Sequence, residues 1–267
     1  MININEMIEH EIKNGYSDAN ARSKVSQDII LKAISSSSIN HNITVKGGVV
    51  MRSKTGNIRR ATQDLDLDFI KYSLEDESIN DFVKKINCLN GVSISRIGKI
   101  EDLKQQDYHG KRIYLTITDV EEITIKTKLD LGVHNKLDIE QEEYCFDVDF
   151  DDEGANLLIN PTEQMIIEKL RSLLKFGPIS TRYKDIFDIY YLSNYVQREK
   201  MIACLKTYIF NDTYMREKDI DSVVNRIRMT FNNKDYRRML KTTNLNWLDV
   251  EIDEMLNEIV SFLHSLK

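Results

Sequence analysis

The chain has 267 residues and a formal net charge of −6, enough for one large domain or two modest ones. Hydrophobic residues make up 41% and charged residues 30%, an ordinary globular composition, and no run approaches the roughly 18 apolar residues of a membrane-spanning helix. The charge argues against broad non-specific nucleic-acid binding but leaves room for a local basic face, and the expectation is a cytoplasmic protein with no membrane role.

The first residues, Met1 to Glu6, lack the basic-then-apolar layout of a signal peptide. A helix is predicted over residues 18–37, with Ser17 or Asp18 as cap and Val25, Ile29, Ile30 and Ala33 as its apolar face, ended by the serines at 35–38. Ile43-Thr44-Val45 reads as a short strand entering Gly47-Gly48, and Val49 to Arg52 continue as a short helix. Asp64 to Lys71 forms a strand in which alternate residues share a side, so Asp64, Asp66 and Asp68 line one face and Leu65, Leu67 and Phe69 the other. A helix follows from Asp76 to Cys88, and then three alternating strands at Val92–Ile97, Arg112–Ile117 and Ile123–Asp130. In the last of these, Ile123, Ile125, Thr127, Leu129 and Leu131 share one face, and Thr124, Lys126, Lys128 and Asp130 the other.

The texture changes near residue 150, where Asp147, Asp149, Asp151, Asp152 and Glu153 form an acidic stretch before Gly154. Asn160-Pro161-Thr162-Glu163 is a helix start, with Asn as cap and Pro in the first turn, and that helix runs to about Phe176 before Gly177-Pro178. Ser180 or Thr181 starts another, to about Val196, and amphipathic helices continue to Lys267 with breaks at 232–234 and 242–246. A boundary near residue 155 therefore separates a mixed α/β domain, 1–155, from a helical domain, 156–267. Arg226, Arg228, Lys234, Arg237, Arg238 and Lys241, with Tyr214, Phe231 and Tyr236 interleaved, are either an RNA-contacting face or a solvated helix face with core aromatics. Cys88, Cys145 and Cys204 have neither disulfide nor zinc spacing and read as structural thiols. His10, His41, His109, His134 and His264 show no paired metal spacing and read as structural or surface residues.

The chemistry concentrates in Lys46-Gly47-Gly48 and in the aspartate strand. Carboxylates on one side of a strand sit roughly 6.5–7 Å apart and repel unless a cation lies between them. An oxygen-only ligand set suits Mg²⁺. Glycines at the start of a helix present bare backbone N–H groups, a seat for phosphate. In isolation the aspartates could be the solvated face of an edge strand, and the glycines a tight turn. Together they are equipment for phosphoryl or nucleotidyl transfer. Thr62 is either a donor to the carboxylates or phosphates, or ordinary strand packing.

Lys46-Gly47-Gly48 followed by Arg60-Ala61-Thr62-Gln63-Asp64-Leu65-Asp66 resembles the AbiEii/AbiGii toxin family of nucleotidyltransferase-fold proteins. Lys128-Leu129-Asp130, Glu168-Lys169-Leu170-Arg171 and Arg182-Tyr183-Lys184-Asp185-Ile186-Phe187-Asp188 extend the resemblance in the family's order over about residues 40–195. It implies an α+β chain, a nucleotidyltransferase-like mixed-sheet domain followed by a helical bundle. It implies that Asp64 and Asp66 bind one or two Mg²⁺ with Asp130 as the third carboxylate, leaving Asp68 to solvent or a supporting role. Lys46, Gly47, Gly48, Thr62, Lys169 and Arg182 are then the nucleotide-binding residues. Lys169 would neutralise the triphosphate, where a surface lysine is the plain alternative. Asp185 and Asp188 would orient Lys169 or contact the nucleotide, where local helix salt bridges are the alternative. The implied activity is Mg²⁺-dependent transfer of an NMP from an NTP to an acceptor hydroxyl, at a tRNA 3′ end, by a growth-inhibiting toxin that a separately encoded antitoxin opposes. A small-molecule nucleotidyltransferase of the aminoglycoside-modifying kind, kept open by the acidic stretch at 147–153, and a non-catalytic nucleotide-binding or protein-interaction module are the alternatives.

Overall fold

In the computed structural model, which describes residues 2–103, 110–136 and 138–267, the alternation around Asp66 becomes a strand at the middle of a sheet. Met1 and His109 lie outside the described residues. The chain divides into two compact units, Met1–Asn160 and Pro161–Lys267.

The first unit contains α1 (Ile4–Lys13), α2 (Asp18–Ser35), β1 (Ile43–Lys46), α3 (Gly48–Thr55), β2 (Leu65–Phe69), α4 (Asp76–Ile86), β3 (Val92–Leu103), β4 (Gly110–Asp119), β5 (Thr124–Val133), β6 (Glu142–Val148) and β7 (Asp151–Ile159). The strands form one mixed sheet in the order β3-β4-β5-β2-β1-β7-β6. The β2–β5 and β1–β7 pairs are parallel and the other neighbours antiparallel. The period-2 pattern fixes the faces: Leu65, Leu67, Phe69, Leu129 and Leu131 are buried, while the intervening aspartates belong to the opposite face. The apolar side is covered by α2, which lies against β5, β6 and β7, and by α4 against β3. Phe69 meets Phe82 of α4 edge-on, with ring centroids 5.3 Å apart. Each such buried side chain contributes roughly 1.5–3 kcal/mol.

The second unit is helical: α5 (Thr162–Phe176), α6 (Tyr183–Ser193), α7 (Arg198–Leu205), α8 (Ile220–Phe231), α9 (Lys234–Thr242) and α10 (Ile252–Ser265). α5 packs on α6, α7 and α8, and α10 on α6 and α8, around Ile166, Ile167, Leu170, Phe187, Ile227, Met255 and Ile259.

Several elements depart from the sequence reading. α1 is an added helix, capped by the Asn3 side chain and buried through Ile4 and Ile8. The acidic stretch, given no element in the sequence reading, forms the β6–β7 hairpin, in which Asp149 pairs with Lys24 and Asp151 with Lys32. α5 is entered from Pro161, not capped by Asn160, and Glu163 accepts the backbone N–H of Gln197 at 2.7 Å instead of completing a capping box. α6 starts at Tyr183, after a turn in which Ser180 Oγ accepts the Arg182 N–H. Cys204 is buried, whereas Cys88 and Cys145 are exposed free thiols. Among the described residues no helix is long and apolar enough to cross a membrane.

Candidate active site

The sheet assembles the first set of expected residues by register. Lys46 of β1 lies opposite Asp66 of β2, Asp66 opposite Asp130 of β5, and Asp130 opposite Arg112 of β4. Partners in register project to the same face. One row across four adjacent strands therefore reads cation, carboxylate, carboxylate, cation. Arg112 grips Asp130 with both arms, Nε donating to Oδ1 at 2.7 Å and Nη2 to Oδ2 at 2.8 Å. Lys128 pairs with Asp64 at 2.6 Å, and Lys46 with Asp68 at 2.7 Å. Asp68 is thus a buried anchor for Lys46 and not a solvent residue. Among the described residues Asp66 has no ion pair of this kind. Burial raises its pKa to about 6, opposed by the nearby Lys46 charge and reinforced by Asp130, Asp64 and Asp68.

The glycine pair is built around these side chains. Gly47 adopts φ +73°, and a Cβ there would sit 2.3 Å from Asp66 Oδ2. A Cβ on Gly48 would sit 2.6 Å from Thr62 Oγ1. Only glycine lets the turn entering α3 approach both halves of the Thr-x-Asp-x-Asp segment. The hard oxygen donors, the desolvated Asp66 among like charges and this side-chain-free approach fit a divalent cation with a phosphate beside it.

In the helical unit, the Lys169 ammonium of α5 donates to Asp185 Oδ1 at 3.0 Å and Asp188 Oδ2 at 2.8 Å on α6. All three residues are buried, so Lys169 is not a surface lysine with a snorkelling stem. Arg182 Nε donates to Asp185 Oδ2 at 2.6 Å, the local pair that the helical spacing allows. Asp188 instead accepts Trp247 Nε1–H at 3.2 Å. Arg171 is bound to Asp212.

Sequence reasoning missed Arg112, Trp247 and Gln27. Arg112 was findable, since it sits on the polar face of an alternating strand. Trp247 and Gln27 carry no local signal, because their partners lie far along the chain. Of the residues read either as an RNA-contacting face or as a solvated helix face with core aromatics, Phe231 and Tyr236 are buried, Arg237 and Lys241 pair with Asp253, and Arg238 pairs with Asp235. Tyr214 alone of those three aromatics is exposed. Among the described residues the acidic oxygens that converge within 4.8 Å as a group of three belong to Glu11, Asp28 and Asp149, not to the aspartate row. Lys24 pairs with all three, so a lysine already supplies the cation there.

The family model described as "Nucleotidyl transferase AbiEii toxin, Type IV TA system" matches residues 29–257. Among solved structures the chain is similar to an antigenic nucleotidyltransferase-like protein from Paracoccidioides brasiliensis, at 13% identity and a TM-score of 0.47, over 83% of this chain and 93% of that one. At that identity and score the likeness bears on neither activity nor substrate. No curated protein matches.

Proposed function

Because the chain belongs to the AbiEii nucleotidyl transferase toxin family of type IV toxin–antitoxin systems, we propose that it moves an NMP from an NTP, with Mg²⁺, to the 3′-terminal hydroxyl of a tRNA. An NTP substrate and an antitoxin counterpart follow from the family; the metal, the acceptor and the residue roles are this proposal.

The observation that carries it is the seating of Asp66 against the bare Gly47 turn, in a row with Asp130 and next to Asp64. Asp64 and Asp66 would hold Mg²⁺ and Asp130 would complete the set, each Asp130 oxygen keeping a lone pair beyond its bond to Arg112. When bound, the metal supplies Lewis acidity to the α-phosphate and to the leaving oxygen. Gly47 and Gly48 seat the β- and γ-phosphates on backbone N–H groups, with Lys46 beside them and Thr62 as a further donor. The acceptor oxygen bonds to the α-phosphorus as the bond to the bridging β-phosphate oxygen breaks. Pyrophosphate leaves with that electron pair, and the hydroxyl proton passes to Asp130. Within the helical unit, Asp185 and Asp188 set the place of the Lys169 ammonium, and Arg182 steadies Asp185.

The test is incubation of wild type and Asp66→Asn with each α-labelled NTP, Mg²⁺ and total tRNA. Label on tRNA from wild type alone supports the proposal and names the nucleotide. Label that appears only with small-molecule hydroxyl acceptors would replace tRNA by the aminoglycoside-type reading. NTP binding without transfer to any acceptor would leave a nucleotide-binding module.

A further inference from the structure

Thr62 and Asp64 stand just before the paired part of β2, which begins at Leu65. Gln27 of α2 reaches both: its Nε2 donates to Thr62 O at 3.1 Å and to Asp64 O at 3.4 Å. The Gln27 Oε1 accepts Arg52 Nη1 at 2.6 Å, and Arg52 Nη2 donates to Asp28 Oδ1 at 2.9 Å. Asp28 Oδ2 in turn accepts from Lys24 at 2.7 Å. Guanidinium has no acceptor, so the Gln27 amide can face it only with its oxygen, which aims the NH₂ group at the two carbonyls. Gln27 is 0%, Asp28 1% and Arg52 7% exposed, so water does not compete for the bonds of Arg52 to Gln27 and Asp28, while the two bonds from Gln27 to the carbonyls are part-buried.

Arg52 lies on α3, the helix that Gly48 starts, and Gly48 packs on Thr62. The same side chain that orients Gln27 is therefore rigidly attached to the phosphate seat. Gln27 and Asp28 also lie just before the family-matched span, 29–257, so the family's description does not cover them.

We propose that Gln27 is a positioning residue for the transfer site, fixing the Thr62–Asp64 backbone that carries the first metal-binding aspartate, and that Arg52 and Asp28 hold its amide in the required orientation. This rests on the reading of Asp64 and Asp66 as Mg²⁺ ligands. Hydrogen bonds from the buried Gln27 amide to two carbonyls, rather than sheet pairing, set where the Asp64 carboxylate starts.

Two variants separate position from mere stability. Gln27→Leu keeps the volume and removes the donors; Arg52→Lys keeps the charge beside Asp28 and drops the arm that grips Gln27. If Gln27→Leu does not fold, Arg52→Lys carries the test. Amide hydrogen exchange is measured on the full chain without nucleotide, and then the Mg²⁺ concentration for half-maximal transfer. Exchange of amides at 61–67 is expected to quicken about tenfold in both variants, with α4 unchanged. The half-maximal Mg²⁺ concentration is expected to rise by a similar factor, and transfer at saturating Mg²⁺ to recover. Unchanged exchange at 61–67 in a folded variant overturns the proposal whatever the activity does. Faster exchange with an unmoved Mg²⁺ requirement also overturns it, because Gln27 would then be structural only. A wild type with no Mg²⁺-dependent transfer sinks the site reading instead, and the exchange comparison still decides whether Gln27 holds the loop.

Discussion

Gly47 shows how little room single atoms leave at this site. A methyl group on its Cα would fall 2.3 Å from Asp66 Oδ2, on backbone already at φ +73°. Gly47→Ala is therefore expected to cost about 1–3 kcal/mol of stability and, by displacing Asp66, about a hundredfold in transfer rate. Urea unfolding and the labelled-NTP assay read the two losses separately, and a variant as active as wild type would refute the close approach. At Trp247 the expectation is different. Trp247→Phe keeps the ring but removes a donor from the fully buried Asp188, so urea unfolding should show a loss of about 1.5–3 kcal/mol. The Gly-Gly and alternating-Asp patterns were legible at this scale because they are local. The Asp188–Trp247 bond was not, because nothing in the sequence around Trp247 records a partner on α6.

Among elements, α1, α2 and the β6–β7 hairpin are joined by charge. Glu11, Asp28 and Asp149 face Lys24 and Arg52, three carboxylates against two cations, with Glu11 and Asp28 buried and Asp149 exposed. The excess carboxylate is Glu11, whose pKa is pushed up to about 7 by burial and by Asp149, against the pull of Lys24. The folded value lies above the unfolded one, so the native state binds the extra proton between about pH 4.5 and 7. That contribution to stability is present at low pH and is lost as pH rises through 7. Glu11→Gln is expected to remove the loss: its melting temperature should gain on wild type between pH 5 and pH 8, and a constant difference would refute the charge count. Lys24→Met should be far more damaging, by about 3–5 kcal/mol, since it strands buried carboxylates. The length and caps of α2 and the strand alternation were readable in advance. α1 and the hairpin were not, since their acidic residues look solvated until Lys24 and Lys32 are placed against them.

For the whole molecule, family membership makes a prediction about cells. Expression of the wild type is expected to arrest growth, and Asp66→Asn to restore it at equal protein level, measured as colony counts after induction. Persisting arrest with Asp66→Asn would separate toxicity from transfer. Sequence by itself determined the types of the elements between α2 and β5 and the helical character of the second unit, the aspartate face and the family, because those depend on periodicity, on glycine's missing side chain and on motifs short enough to be read along the chain. Only the tertiary structure decided that Asp66 stands between Lys46 and Asp130, that Arg112 closes the row, that Lys169 is buried between two aspartates, and that Gln27 holds the loop. Those are facts of strand register and helix packing, which bring together residues tens of positions apart, and the chain carries no local signal of which partner each buried charge will meet.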